Sequence, residues 1–121
     1  MMIRKVAEQR VISRGPGVDL NVLVEPAEMY NAGRLYARLT VAPGAALAFH
    51  EHVGEMEAFW VAKGTFRMDD NGTMVTLSEG DVLLTLAGQC HAVYNDSDTE
   101  AELIALIVSV QQGVPGESRV L

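Results

Sequence analysis

This 121-residue chain has one cysteine, three histidines and no lysine or arginine between Met68 and Ser118. With Cys90 alone, no internal disulfide can form, and a reducing cytoplasm is the expected compartment. No segment approaches the roughly 20 uninterrupted apolar residues needed to span a bilayer. The opening residues Met1 to Val6 lack an apolar stretch long enough for a secretory signal. Nine basic residues face sixteen acidic ones, a formal net charge of -7. An acidic chain without a basic patch is a poor nucleic-acid binder, because that affinity comes mostly from neutralising phosphates. Binding to a membrane surface is disfavoured for the same reason.

What is present is concentrated. All three histidines fall in two short segments: Gly44, His50, His52, Glu57 and Gly64 punctuate the first, and Gly80, Leu86, Gly88, His91 and Asn95 the second. Residues i and i+2 share a face of a strand but point well apart on a helix. His50 and His52 can therefore grip one ion only if Ala48 to His52 is extended. Val53 to Met56 leaves room for the chain to turn and present Glu57, and His91 must return through the fold. Three imidazoles and a carboxylate form a complete ligand set for a divalent transition metal.

The rest of the chain reads as short strands and turns. Arg34 to Val41 alternates apolar and polar residues and ends at the turn signal Pro43-Gly44. Ala58 to Val61 is short and apolar. Thr65 to Asp69 and Met74 to Leu77 flank Asn71-Gly72, a strong hairpin-turn pair. Val82 to Leu86, His91 to Tyr94 and Ala101 to Val110 complete the set. Arg4 to Ile12 reads as a strand or a helical turn, followed after Gly15-Pro16-Gly17 by Val18 to Val24. Glu25 to Met29 reads as a loop, and Gly113 to Leu121 as a surface tail. Short strands at near-regular intervals predict an all-β sandwich or barrel. The length suits one domain with a single core.

The stretch from Gly44 through His50-Glu51-His52 to Gly64 resembles the first motif of the cupin superfamily. The stretch from Gly80 through His91 to Asn95 resembles the second, with Leu86 where that motif usually has proline. This resemblance implies a small antiparallel β-barrel of the jelly-roll, or double-stranded β-helix, type. It implies one domain over residues 1–121, with a barrel core at about 34–110. It also implies that His50, His52, Glu57 and His91 bind a metal from inside the barrel, and that residues 1–33 serve strand exchange in a homodimer. An edge strand on a monomer is the alternative reading of that segment.

Around the ligands, Phe59 and Val61 share the inward face of Glu57 and are expected to line the pocket. Tyr36 and Arg38 share a strand face, which either reaches a bound anion or faces solvent. Asn95 is either a hydrogen-bonding support for the site or a turn former. Glu55 is the alternative carboxylate to Glu57. Cys90, next to His91 on its strand, should point away from the metal and pack as a small apolar residue rather than act as a nucleophile.

Mn, Fe, Ni, Co and Zn all suit three histidines and one carboxylate. Four protein ligands on a six-coordinate ion leave two positions for water, dioxygen or a bidentate ligand. A divalent ion with one carboxylate keeps about one positive charge, which favours a small anionic or chelating partner. The permitted chemistry is Lewis-acid polarisation of a carboxylate or enol, or redox activation of oxygen, as in a decarboxylase or a dioxygenase. A metal-anchored binding or sensor module without turnover is the alternative. Ligation needs neutral imidazoles, so metal affinity should weaken below about pH 6.

Overall fold

A computed structural model describes all 121 residues, and it is built almost entirely of strands. In chain order they are β1 (Val11–Ser13), β2 (Val18–Val24), β3 (Leu35–Val41), β4 (Ala46–Val53), β5 (Glu55–Lys63) and β6 (Phe66–Asp70). There follow β7 (Thr73–Leu77), β8 (Val82–Thr85), β9 (Cys90–Tyr94), β10 (Ala101–Ser109) and β11 (Glu117–Val120). Two antiparallel sheets result, one in the order β1-β2-β3-β10-β5-β8 and the other in the order β11-β4-β9-β6-β7. Consecutive strands often lie in opposite sheets, the arrangement of a jelly roll. No helix is long and apolar enough to cross a membrane.

Period-two patterning drives the packing. In β10, Ala101, Leu103, Ala105 and Ile107 are buried, while Glu102, Ile104 and Leu106 between them are only half-buried. Inward residues of both sheets meet in one core, with Val18, Leu20, Leu39, Phe59, Val61 and Leu103 from one and Phe66, Met68 and Val93 from the other. The Asn71-Gly72 pair turns β6 into β7 with both residues at positive φ, 51° and 100°. That conformation follows the twist of a two-residue hairpin and sets the register Asp70 opposite Thr73.

Several elements differ from the sequence reading. The segment Arg4 to Ile12 divides into a single 3-10 turn at Val6–Glu8 and the start of β1. Glu25 to Met29 is not a plain loop. Pro26–Met29 forms a 3-10 turn closed by a capping box between Glu25 and Glu28. The apolar stretch Ala58 to Val61 is the centre of the longer β5, whose inward Glu55 and Glu57 interrupt the hydrophobic signal. The tail is not merely a surface segment, since β11 pairs with β4 and sets Ser118 opposite His52 and Val120 opposite His50. Its four residues are all exposed, so no alternation marks them as a strand. At the other terminus, β1 and β2 pair within the chain, β2 lying against β3.

Candidate metal centre

The four side chains come from both sheets. His50 and His52 project from β4, and His91 faces His50 across the β4–β9 ladder. A register irregularity between Leu47 and His50 marks a bulge that re-aims this end of β4. Glu57 comes from β5 in the opposite sheet, directly across from Thr85 on β8. Their ligating atoms all lie within 4.8 Å of one another. His91 Nε2 is 3.0 Å from His50 Nε2 and 3.1 Å from His52 Nε2. Glu57 Oε1 is 3.0 Å from the Nε2 atoms of both His52 and His91.

The other nitrogen of each ring is engaged. His50 Nδ1 donates to the Ala48 carbonyl at 2.7 Å. His52 Nδ1 donates to the Glu55 carboxylate, and His91 Nδ1 pairs with the Thr85 hydroxyl at 2.7 Å. A carbonyl and a carboxylate can only accept, so His50 and His52 carry their protons on Nδ1. In a neutral ring that leaves Nε2 as a lone pair. Converging lone pairs beside a carboxylate oxygen repel one another unless a cation lies among them. This donor set therefore fits a divalent transition metal, and its outward hydrogen bonds orient the rings as metal-ligating histidines require.

Glu55 belongs to this outer layer. Fully buried, it accepts from His52 and from Arg34, whose Nε and Nη2 reach its two oxygens at 2.7 Å each. Arg34 Nη2 also donates to the Ser118 hydroxyl at 2.5 Å, tying β11 to the site. Gly116 lies so close that an added Cβ would come within 2.6 Å of both Glu55 Cβ and the Val53 carbonyl oxygen. Phe59 stacks on His91 with ring centroids 4.9 Å apart and planes 19° apart.

Electrostatics follow this geometry. Burial is the strongest influence on His50 and holds its pKa below the usual imidazole value, with the neighbouring histidines adding to the effect. Burial acts the same way on His52, but hydrogen bonds to Glu55 and Glu57 outweigh it and raise that ring to about 9. For Glu57, burial favours the neutral acid, yet His52 and His91 hold the carboxyl below its ordinary range. Glu55 is likewise held low against burial, by His52 and Arg34. At neutral pH His52 is therefore positively charged between the two carboxylates.

A cavity of about 380 Å³ opens onto the centre, and His50, His52, Glu57 and Phe59 line it. Val61 does not line it; it is fully buried in the core. Tyr36 and Arg38 alternate with the buried Ala37 and Leu39 and lie on the outer face of β3, away from the cavity. The arginines that line it are Arg14 and Arg34. Neither was legible: Arg14 precedes a Gly-Pro-Gly turn, and alternation over Arg34 to Val41 would put Arg34 on the outer face with Tyr36 and Arg38, whereas β3 begins only at Leu35 and leaves Arg34 free of that alternation. Asn95 is a turn support rather than a partner of the histidines. Its amide donates to the Val41 and Thr99 carbonyls at 2.9 Å each, and its oxygen accepts from Ser97. Cys90 is half-buried beside His91, and burial together with Glu51 and Asp69 pushes its thiol pKa up, opposite to what a nucleophile needs.

Comparison with known proteins agrees with this geometry. An oxalate-binding protein of Thermotoga maritima is 34% identical over 91 residues, covering 75% of each protein. The crystal structure of a Thermotoga maritima protein described as a predicted oxalate decarboxylase superposes with a TM-score of 0.81 at 32% identity, covering 89% of this chain and 99% of that one. The polyketide cyclase RemF from Streptomyces resistomycificus shares the fold, with a TM-score of 0.75 at 16% identity over 100% of this chain and 86% of that one. The cupin-domain family model matches residues 37–108, which include all four converging side chains. With its two sheets and its histidine–glutamate cluster, the chain belongs to the cupin family.

Proposed function

We propose that this protein is a small metal-dependent cupin enzyme acting on a small carboxylate or enol-like metabolite, with decarboxylase- or dioxygenase-like chemistry. The observation that carries this reading is the convergence of three Nε2 atoms and the Glu57 oxygen at the floor of an open cavity. A divalent ion bound there supplies Lewis-acid polarisation of a carboxylate or enol, or redox activation of oxygen. The chain's own groups supply orientation and charge. Ala48, Glu55 and Thr85 lock the three rings, Arg34 balances the buried Glu55 carboxylate, and Phe59 shields one face of His91. An oxalate-binding relative supports a small anionic chelator as the partner.

A second reading has its own observation. Glu57 is the only carboxylate lining the cavity, and it is committed to the cluster, so no free acid or base faces a ligand. This favours a metal-anchored binding module without turnover. The test is a panel of chelating acids incubated with protein loaded with Mn, Fe, Co, Ni or Zn. The enzyme reading expects product from at least one acid, and His52→Ala should reduce that rate at least a hundredfold. Tight ligand binding with no product across the panel would establish the binding module instead.

A further inference from the structure

The cavity is larger and more apolar than a two-carbon diacid needs. A water molecule's share of the liquid is about 30 Å³, so a 380 Å³ space holds on the order of ten of them. That volume lies in the range of pockets that enclose whole organic ligands. Its walls are mainly Leu20, Leu35, Leu39, Leu47, Phe59 and Ile107.

The sheet registers show how these walls join the metal centre. Glu57 on β5 lies opposite Ile107 on β10, and Ile107 lies opposite Leu35 on β3. Leu39 on β3 and Leu20 opposite it on β2 extend the apolar wall. The charged groups of the cavity are thus confined to the histidine–glutamate cluster and two arginines, and an apolar strip begins immediately beside Glu57. Leu35 and Leu47 are only partly buried and remain available to a ligand. Water against such a strip is readily displaced by hydrocarbon, whereas oxalate would leave the strip wet.

We propose that the preferred ligand is a chelating 2-oxo acid with an apolar side chain of about three to seven carbons, its acid head at the histidine cluster and its side chain along the Glu57–Ile107–Leu35 row. This inference rests on the metal-anchored reading above and adds the substrate class. Each methylene buried there should strengthen binding roughly fourfold.

Calorimetric titration of Mn(II)-loaded protein with oxalate, pyruvate, 4-methyl-2-oxopentanoate and phenylpyruvate tests it without any need for turnover. The two larger acids should bind at least tenfold more tightly than pyruvate. Leu35→Asn should shrink that gap to threefold or less while leaving oxalate affinity within about twofold, which also shows that the variant is folded. Pyruvate within threefold of both larger acids in the wild-type protein would overturn this inference and leave metal-anchored binding standing. A gap that persists in a folded Leu35→Asn variant would overturn the placement of the side chain on this row. Failure of all four acids to bind would overturn both readings.

Discussion

His52 carries more of the site's electrostatics than any other residue, because it lies between two buried carboxylates. Its folded pKa of about 9 lies above the ordinary imidazole value of about 6.5. A raised value means that the proton favours the folded state. In metal-free protein this stabilisation is fully present below about pH 6.5 and is lost as pH climbs through 9, on the order of 3 kcal/mol in all. Denaturant melts of chelated protein should show stability falling from pH 6.5 to 9, and His52→Gln should flatten that slope. A metal must displace the same proton, so metal affinity should keep rising to about pH 9. The spacing alone suggested weakening only below about pH 6, because it does not reveal the two carboxylates flanking the ring. Glu55→Gln keeps the shape of the partner but removes its charge. It should weaken metal affinity by about 10- to 100-fold, measured by competition with a chromophoric chelator. An unchanged affinity would mean that packing alone orients His52. At this scale the four converging side chains were legible, His50 and His52 because strand geometry puts them on a shared face, Glu57 and His91 through the resemblance of the two motifs. Glu55 appeared in the sequence only as an alternative to Glu57, and Thr85 and Arg34 did not appear as partners at all. Their roles depend on which strand lies opposite which.

Among the elements, β4 does most to shape the centre, and β11 and β9 flank it. β11 is short, polar and exposed, so its own propensity is a weak reason for it to pair. Its position is set by Ser118 bonding to Arg34 and by Gly116 fitting against Glu55. Gly116→Ala would drive a methyl group into the Val53 carbonyl and the Glu55 side chain, neither of which can yield cheaply. We expect it to cost about 1–3 kcal/mol of stability and to weaken metal binding together with it. Gly44→Ala would also be strained, at φ 76°, but meets open space and should leave metal affinity unchanged. Thermal melts and metal titrations of the two variants, side by side, separate damage to β11 from a general glycine effect. The hairpin β6–β7 was legible because Asn71-Gly72 has a local conformational cause. β11 was not, because its cause is a contact made far along the chain.

For the molecule as a whole, the histidine–glutamate cluster joins the two sheets. Glu57 belongs to one, the three histidines to the other, and Thr85 reaches across to His91. An ion bound by all four should therefore brace the sandwich, adding about 4 kcal/mol at a thousandfold excess over its dissociation constant. Chelation should lower Tm by several degrees, and readdition of metal should restore it. A melt unmoved by chelation would show that hydrophobic contact between the sheets alone holds the ligands in place.

By itself the sequence determined the strand-rich class and the hairpin turn, which follow from local periodicity and turn chemistry, and it placed His50 and His52 on one strand face, while Glu57 and His91 were added by the resemblance of the two motifs. Only the tertiary structure decided which groups hold the imidazoles from behind, which arginines line the cavity and how far its apolar walls extend. Those contacts join residues from separate strands and opposite sheets, and their distances depend on the register and packing of the closed fold rather than on any interval along the chain.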